Sequence, residues 1–259
     1  MTATANAYSA GFGIAAEGLE QWSEQPVPEE LSGTDKAQKI YPITGNQFVL
    51  ALTMRGDIVS RDRSFHFGLD LQNRAARLGA NFHGDCYDFV EALSANAATT
   101  VEAAIKSGTL DGYMEVYCTF VGYFRGRPRC VYADFSPNTG RAKVTEVRLR
   151  PGWKDLRSSP KIVAAFERND PRFAEFRKPF GPSSSLQEAA DFAESFIRAS
   201  CYLPATHQID SENAGYFGGH IHVATLAPPD PSLKSRILRY FGRGPWGKFQ
   251  WVPEKGPLP

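Results

Sequence analysis

The residue whose type and position carry the most chemistry is Thr2. A threonine hydroxyl is a poor nucleophile until something removes its proton. If Met1 is cleaved, Thr2 carries both the hydroxyl and a free α-amine. That amine, with an ordinary pKa of about 7.7–8.0, suits a base near neutral pH. His220 and His222 alternate along one segment and would share a strand face, a geometry found in metal sites. No third ligand stands at a recognisable spacing, so they read as paired surface or half-buried histidines and no metal is expected. The four cysteines (Cys86, Cys118, Cys130, Cys201) include no Cys-x-x-Cys pair, which excludes the usual zinc and thioredoxin spacings. Cys118 and Cys130 could face each other across a hairpin, but buried free thiols are the expectation. The glycines of Gly11-Phe12-Gly13 and Gly122 to Gly126 sit in hairpin turns and lack the strand-to-helix setting of a nucleotide loop.

These residues need elements to hold them. Ala3 to Tyr8 and Phe12 to Glu17 flank a small polar turn and predict a β-hairpin. Residues 20–36 are acidic and proline-bearing and read as an exposed loop. Lys39 to Ile43 and Phe48 to Met54 predict two further strands, and 57–78 a helical stretch broken near Gly68. From Asp85, the residues Phe89, Val90, Leu93, Ala97, Val101 and Ala104 recur at helical spacing and form one apolar stripe. Strands follow at 113–124, 128–135 and 142–149, with a turn at Pro137 to Gly140. Residues 151–182 read as irregular with a short helix at 160–167. Leu186 to Ala199 is a helix with Glu188 in its first turn, and 219–226 is a last strand. The order is that of an α+β domain, with sheets and helices in separate layers.

Composition limits the function classes. Of 259 residues, 42% are hydrophobic and 22% charged, which excludes a disordered polymer and a coiled-coil rod. A net charge of +1 argues against a dedicated nucleic-acid binder. No apolar run reaches the length needed to span a bilayer, and no basic-then-apolar leader is seen, so the cytoplasm is the expected compartment. Residues 231–259 hold six Lys or Arg against one acid, interleaved with aromatic residues. They read as a tail packed on its own domain or a neighbour, with a single-strand-binding arm as the alternative. Within it, Leu233, Ile237, Leu238 and Phe241 would share one helical face.

Several motifs, taken in order, resemble proteasome β-type subunits of the N-terminal-nucleophile hydrolases. They are the opening hairpin ending Gly13-Ile14-Ala15-Ala16-Glu17, then Gln38-Lys39-Ile40-Tyr41-Pro42-Ile43, then Gly56-Asp57, and finally Gly218-Gly219-His220-Ile221-His222. The resemblance spans roughly residues 1–226. It implies a four-layer αββα sandwich over 1–227, followed by an extension over 228–259. It implies Thr2 as nucleophile, Glu17 as the acid ending the second strand, and Lys39 as the lysine that holds positive charge beside the hydroxyl. An opposite charge within a few ångström would keep that lysine ionised and oriented. The family's oxyanion glycine falls on Thr53, which keeps the N–H. Asp210 and Ser211 would be the supporting pair, several residues earlier than the family places them. The implied function is a threonine-type peptidase or amidase acting on a peptide or amide substrate without a cofactor, in a homo-oligomeric ring. The alternative is a catalytically silent subunit with an assembly or scaffold role. Lys39→Ala would then abolish hydrolysis and leave folding intact, since a strand-end lysine adds little to a core.

Overall fold

The computed structural model describes residues 2–18, 20–21, 33–34, 38–55, 66–107, 116–135, 141–240 and 246–253. In chain order the first strands are β1 (Thr4–Tyr8), β2 (Phe12–Glu17), β3 (Glu20–Gln21), β4 (Gly33–Thr34), β5 (Ile40–Gly45) and β6 (Phe48–Arg55). Helices α1 (Phe67–Gly79) and α2 (Cys86–Lys106) precede β7 (Val116–Phe124), β8 (Arg127–Phe135), β9 (Ala142–Val147) and β10 (Trp153–Arg157). Then come α3 (Pro160–Glu167), a 3-10 helix (Pro171–Phe176), α4 (Leu186–Cys201), α5 (Leu203–Ile209), β11 (Ile221–Ala227), α6 (Leu233–Tyr240) and β12 (Lys248–Trp251). The fold is α+β, with two five-stranded antiparallel sheets and a short ribbon of β3 and β4. The chain divides into two compact units.

The first unit comprises Met1–Ile40, Arg150–Thr225 and Gln250–Pro259. Its sheet runs β10-β1-β2-β11-β12. β1 and β2 form a one-to-one antiparallel hairpin from Tyr8↔Phe12 to Thr4↔Ala16, and β10 pairs antiparallel on the other side of β1. α4 lies on β1 and β2, and the sequence explains the close fit. Ala3, Ala5, Ala7 and Ala15 present only methyl groups to Ala189, Ala193 and Phe196 in one buried cluster. Gly13 presents nothing: a Cβ there would lie 2.2 Å from the backbone of Ala189 and Ala190. α4 begins with a capping box, in which the Ser185 hydroxyl accepts from the Glu188 N–H and the Glu188 carboxylate accepts from the Ser185 N–H.

The second unit comprises Tyr41–Leu149 and Leu226–Phe249. Its sheet runs β5-β6-β7-β8-β9. Pro42, which cannot donate to a ladder, sits on the edge strand β5. β7 and β8 are joined by Arg125 and Gly126, at φ +50° and +75°, the left-handed pair that a two-residue hairpin turn requires. α1 and α2 bury Leu71, Ala75, Phe89, Val90, Leu93, Ala97 and Val101 with the sheet side chains Leu50, Leu52, Phe120 and Val131.

The apolar stripe predicted for α2 is buried at each described position. β10 and α5 fall in stretches without sheet or helix periodicity. Trp153-Lys154-Asp155-Leu156-Arg157 is strand only because it pairs with β1. Cys118 lies opposite Ala133, and Cys130 opposite Val121, so the two thiols are not cross-strand partners. None of the four cysteines is in a disulfide, and three of them are buried. In the tail, Trp246 is buried and donates its indole N–H to the Asn46 carbonyl, while the Val252 N–H donates to the Val223 carbonyl at 2.9 Å. Leu233 and Ile237 of α6 remain exposed. Most of the acidic loop, the start of the 57–78 stretch with Gly56-Asp57, the Pro137–Gly140 turn and Phe241 lie outside the described residues. No described helix is long and apolar enough to cross a membrane.

Candidate active site

The β1–β2 ladder delivers Glu17 to the N-terminal end of the chain. Beyond Thr4↔Ala16 the next pair is Ala3 and Glu17, and the Glu17 N–H donates to the Ala3 carbonyl at 3.2 Å. The Ala3 N–H returns a bond to Glu17 Oε1 at 3.3 Å, so the carboxylate stands beside the residue that follows Thr2. Thr2 itself is buried. Lys39, just before β5, places its Nζ 2.8 Å from the same oxygen. The other oxygen, Oε2, accepts the Gly218 N–H at 3.4 Å. The Gly218-Gly219 pair thus reaches the site through backbone. Gly219 takes φ +73°, a conformation that favours glycine.

This pair is not at the surface. Glu17 is fully buried and the Lys39 side chain is 11% exposed. Each charge is desolvated, and the other stands against it at 2.8 Å. The expectation that Lys39 can be removed without touching the fold does not survive this geometry. Cys201, at the end of α4, feels the same charges: burial pushes its thiol up, Glu17 adds to the rise, and Lys39 and Arg198 oppose it. It is therefore a neutral thiol near neutral pH.

A second buried carboxylate lies at the same end of the sheet. Asp210 ends α5 and is 2% exposed. It accepts the Ser159 hydroxyl, the Asn213 side-chain amide at 2.8 Å and Lys161 Nζ at 3.2 Å. Burial raises its pKa, and these hydrogen bonds outweigh that and hold it below the ordinary carboxylate value. Ser159 is the N-cap residue of α3 by position, yet its hydroxyl makes no capping bond and serves Asp210 instead. Ser158 and Ser159 follow Arg157, which pairs with Thr4, just as Ala3 and Thr2 precede Thr4 on the antiparallel partner.

Of the residues singled out in the sequence, the first unit brings together Glu17 and Lys39, with Thr2 beside them in the chain, and Asp210 at the same sheet end. Ser211 is exposed. Thr53 belongs to β6 of the second unit, where it is buried opposite Thr119 of β7. Ser159 was missed; its signal was the Ser-Ser-Pro run before α3, which reads first as a cap. His220 precedes β11 and His222 lies in it, both half-buried, with the His222 ring 6.4 Å from Trp251. Among the described residues, no group of three ligating side chains could hold a metal ion.

No family model matches the chain, and no curated protein matches it. Solved structures do. The chain is similar to a helical assembly of the Anbu complex from Pseudomonas aeruginosa, with TM-score 0.59 and 12% identity over 98% of this chain and 88% of that one. It is also similar to Anbu (ancestral beta-subunit) from Yersinia bercovieri, with TM-score 0.56 and 12% identity over 87% of this chain and 81% of that one. Anbu from Hyphomicrobium sp. strain MC1 gives TM-score 0.53 and 11% identity over 87% and 81%. At such identity the likeness is one of fold. It corrects the resemblance read from the motifs: these neighbours are Anbu proteins, a proteasome-like family distinct from the proteasome β-type subunits.

Proposed function

We propose that this chain is an amide hydrolase of the N-terminal-nucleophile kind, acting on peptides through Thr2 once Met1 has been removed. The observation that supports it is the buried Glu17 carboxylate, bonded both to Lys39 and to the N–H of the residue after Thr2. In this reading the α-amine of Thr2 takes the hydroxyl proton as the oxygen attacks the substrate carbonyl. Lys39, held in place by its 2.8 Å contact with Glu17, provides positive charge beside the developing alkoxide. The proton passes to the departing amine, leaving an ester on Thr2 that water hydrolyses to regenerate the hydroxyl. Ser159 and Asp210 would order the sheet end that carries Thr2.

The fold likeness extends this proposal to architecture and assembly. The two sheets would be the inner layers of an αββα sandwich over 1–227, with 228–259 as an extension. The chain would assemble with its own copies, as the Pseudomonas Anbu complex does in a helical assembly. Light scattering of the full chain and of a chain ending at Pro228 reads the assembly and the part the extension plays in it.

A second reading, a catalytically silent subunit with an assembly or scaffold role, is favoured by one observation: Thr2 is only 4% exposed. Two measurements separate them. Intact mass of protein made in its own cells should lack one methionine, and Thr2→Ala should abolish peptide hydrolysis. Uniform retention of Met1, or unchanged hydrolysis in Thr2→Ala, overturns the hydrolase reading.

A further inference from the structure

Outside this site, the second unit carries a groove of about 390 Å³ between α2 and β9. β9 ends the sheet and, among the described residues, pairs with β8 alone, so one row of its backbone N–H and C=O groups faces no strand. Ala142 and Val144 lie opposite the buried Phe135 and Ala133, which puts them on the face that α2 covers, yet both are only partly buried. The floor of the groove is made of small residues of α2, Ser94, Ala95 and Ala98. Ser94 is 3% exposed, and among the described residues its hydroxyl has no hydrogen-bond partner. A buried hydroxyl without a partner costs free energy that an incoming polar group would recover. Glu91 and Glu102 mark the two ends, about three turns or roughly 16 Å apart at 1.5 Å per residue. Arg141, which approaches Glu102 at 4.0 Å, is 83% exposed on its side chain and leaves Glu91 as the anionic end.

We infer that this groove takes an extended peptide segment of a partner protein as a sixth strand on β9, with a lysine or arginine directed at Glu91. Four features then share one explanation. The free edge supplies main-chain bonds, as in other cases of strand addition. The small floor of α2 leaves room for side chains over Ala142 and Val144. The Ser94 hydroxyl meets a polar group of the added strand. The carboxylate selects a basic residue. The inference is independent of the hydrolase reading, because none of these residues belongs to the Thr2 site.

The probe is a blocked peptide, acetyl-Thr-Val-Thr-Val-Thr-Lys-Thr-Val-Thr-amide, added to the full chain. Hydrogen exchange should slow at amides within 142–147. Replacing its lysine by glutamate, or making Glu91→Gln in the protein, should weaken binding by roughly three- to tenfold. Ser94→Ala should weaken it by a similar factor while leaving Tm within a few degrees. Absence of binding at millimolar peptide overturns the proposal, as does binding that leaves the β9 amides unprotected. A peptide-free chain whose β9 is already protected in a dimer, with Thr145→Pro yielding monomer, would make the occupant a second copy and also overturn it.

Discussion

Substitution of Lys39 by methionine keeps the length of the side chain and removes its charge. At 2.8 Å and an effective dielectric constant of about 20, the attraction it removes is roughly 6 kcal/mol. Most of that attraction offsets the desolvation of two charges, so the net worth of the pair is small. The single variant does not lose the net worth, however. It takes from the fully buried Glu17 carboxylate its ionic contact at 2.8 Å, while the Ala3 and Gly218 N–H groups still donate to it at 3.3 and 3.4 Å. Breaking one side of a buried pair costs about 3–5 kcal/mol, and the two donors place Lys39→Met near the lower figure. The double variant Glu17→Gln with Lys39→Met removes both charges and should recover at least about 1 kcal/mol of the loss. Urea unfolding, followed by tryptophan fluorescence and far-UV circular dichroism, measures all three proteins. A Lys39→Met protein within about 1 kcal/mol of the parent, with no recovery in the double variant, would refute the reasoning.

Gly13→Ala must push α4 away from β2, since the added carbon would sit 2.2 Å from the helix backbone. It should cost about 1–3 kcal/mol or more, read as a fall in Tm. Ser185→Ala removes the hydroxyl of the capping box and should cost about 1 kcal/mol in the same assay. Acid sensitivity follows from two carboxylates. The Arg172 side-chain and backbone hydrogen bonds lower Asp170 to about 2, and Asp210 is also held below its ordinary value. Folded-state values below the unfolded ones add stability that is full above about pH 4 and fades as pH falls toward about 2. Unfolding free energy measured across that window should decline, and Asp170→Asn should flatten part of the decline.

How much of this could be read in the sequence depends on the range of the interactions. The β1–β2 hairpin and α2 are local: a turn and an apolar stripe define them, and the structure places them within a residue or so of the expected ends. β10 carries Lys154, Asp155 and Arg157 with no alternation, and it becomes a strand only against β1, far away in sequence. The Glu17–Lys39 pair was expected only through the resemblance, which puts an acid at the end of the second strand and a lysine before the next, and the two side chains meet at 2.8 Å. The Ser159–Asp210 bond was not, because it links two helix termini 51 residues apart with no pattern to announce it. The family assignment went astray for a related reason. Short motifs such as Gly-Asp and Gly-Gly hold too few residues to separate one proteasome-like family from another.

The central claim is that Thr2, as the N-terminal residue, is a nucleophile supported by Lys39 and Glu17. The most direct test is to incubate the protein with a peptide β-lactone, whose ring opens when an activated hydroxyl attacks it, and to locate the adduct by intact and tandem mass spectrometry. The account predicts one equivalent, as an ester on Thr2, formed at least tenfold more slowly in Lys39→Met. That variant would first be shown to be folded by circular dichroism. An unmodified Thr2, or an adduct on another residue that forms equally fast in both proteins, would contradict it.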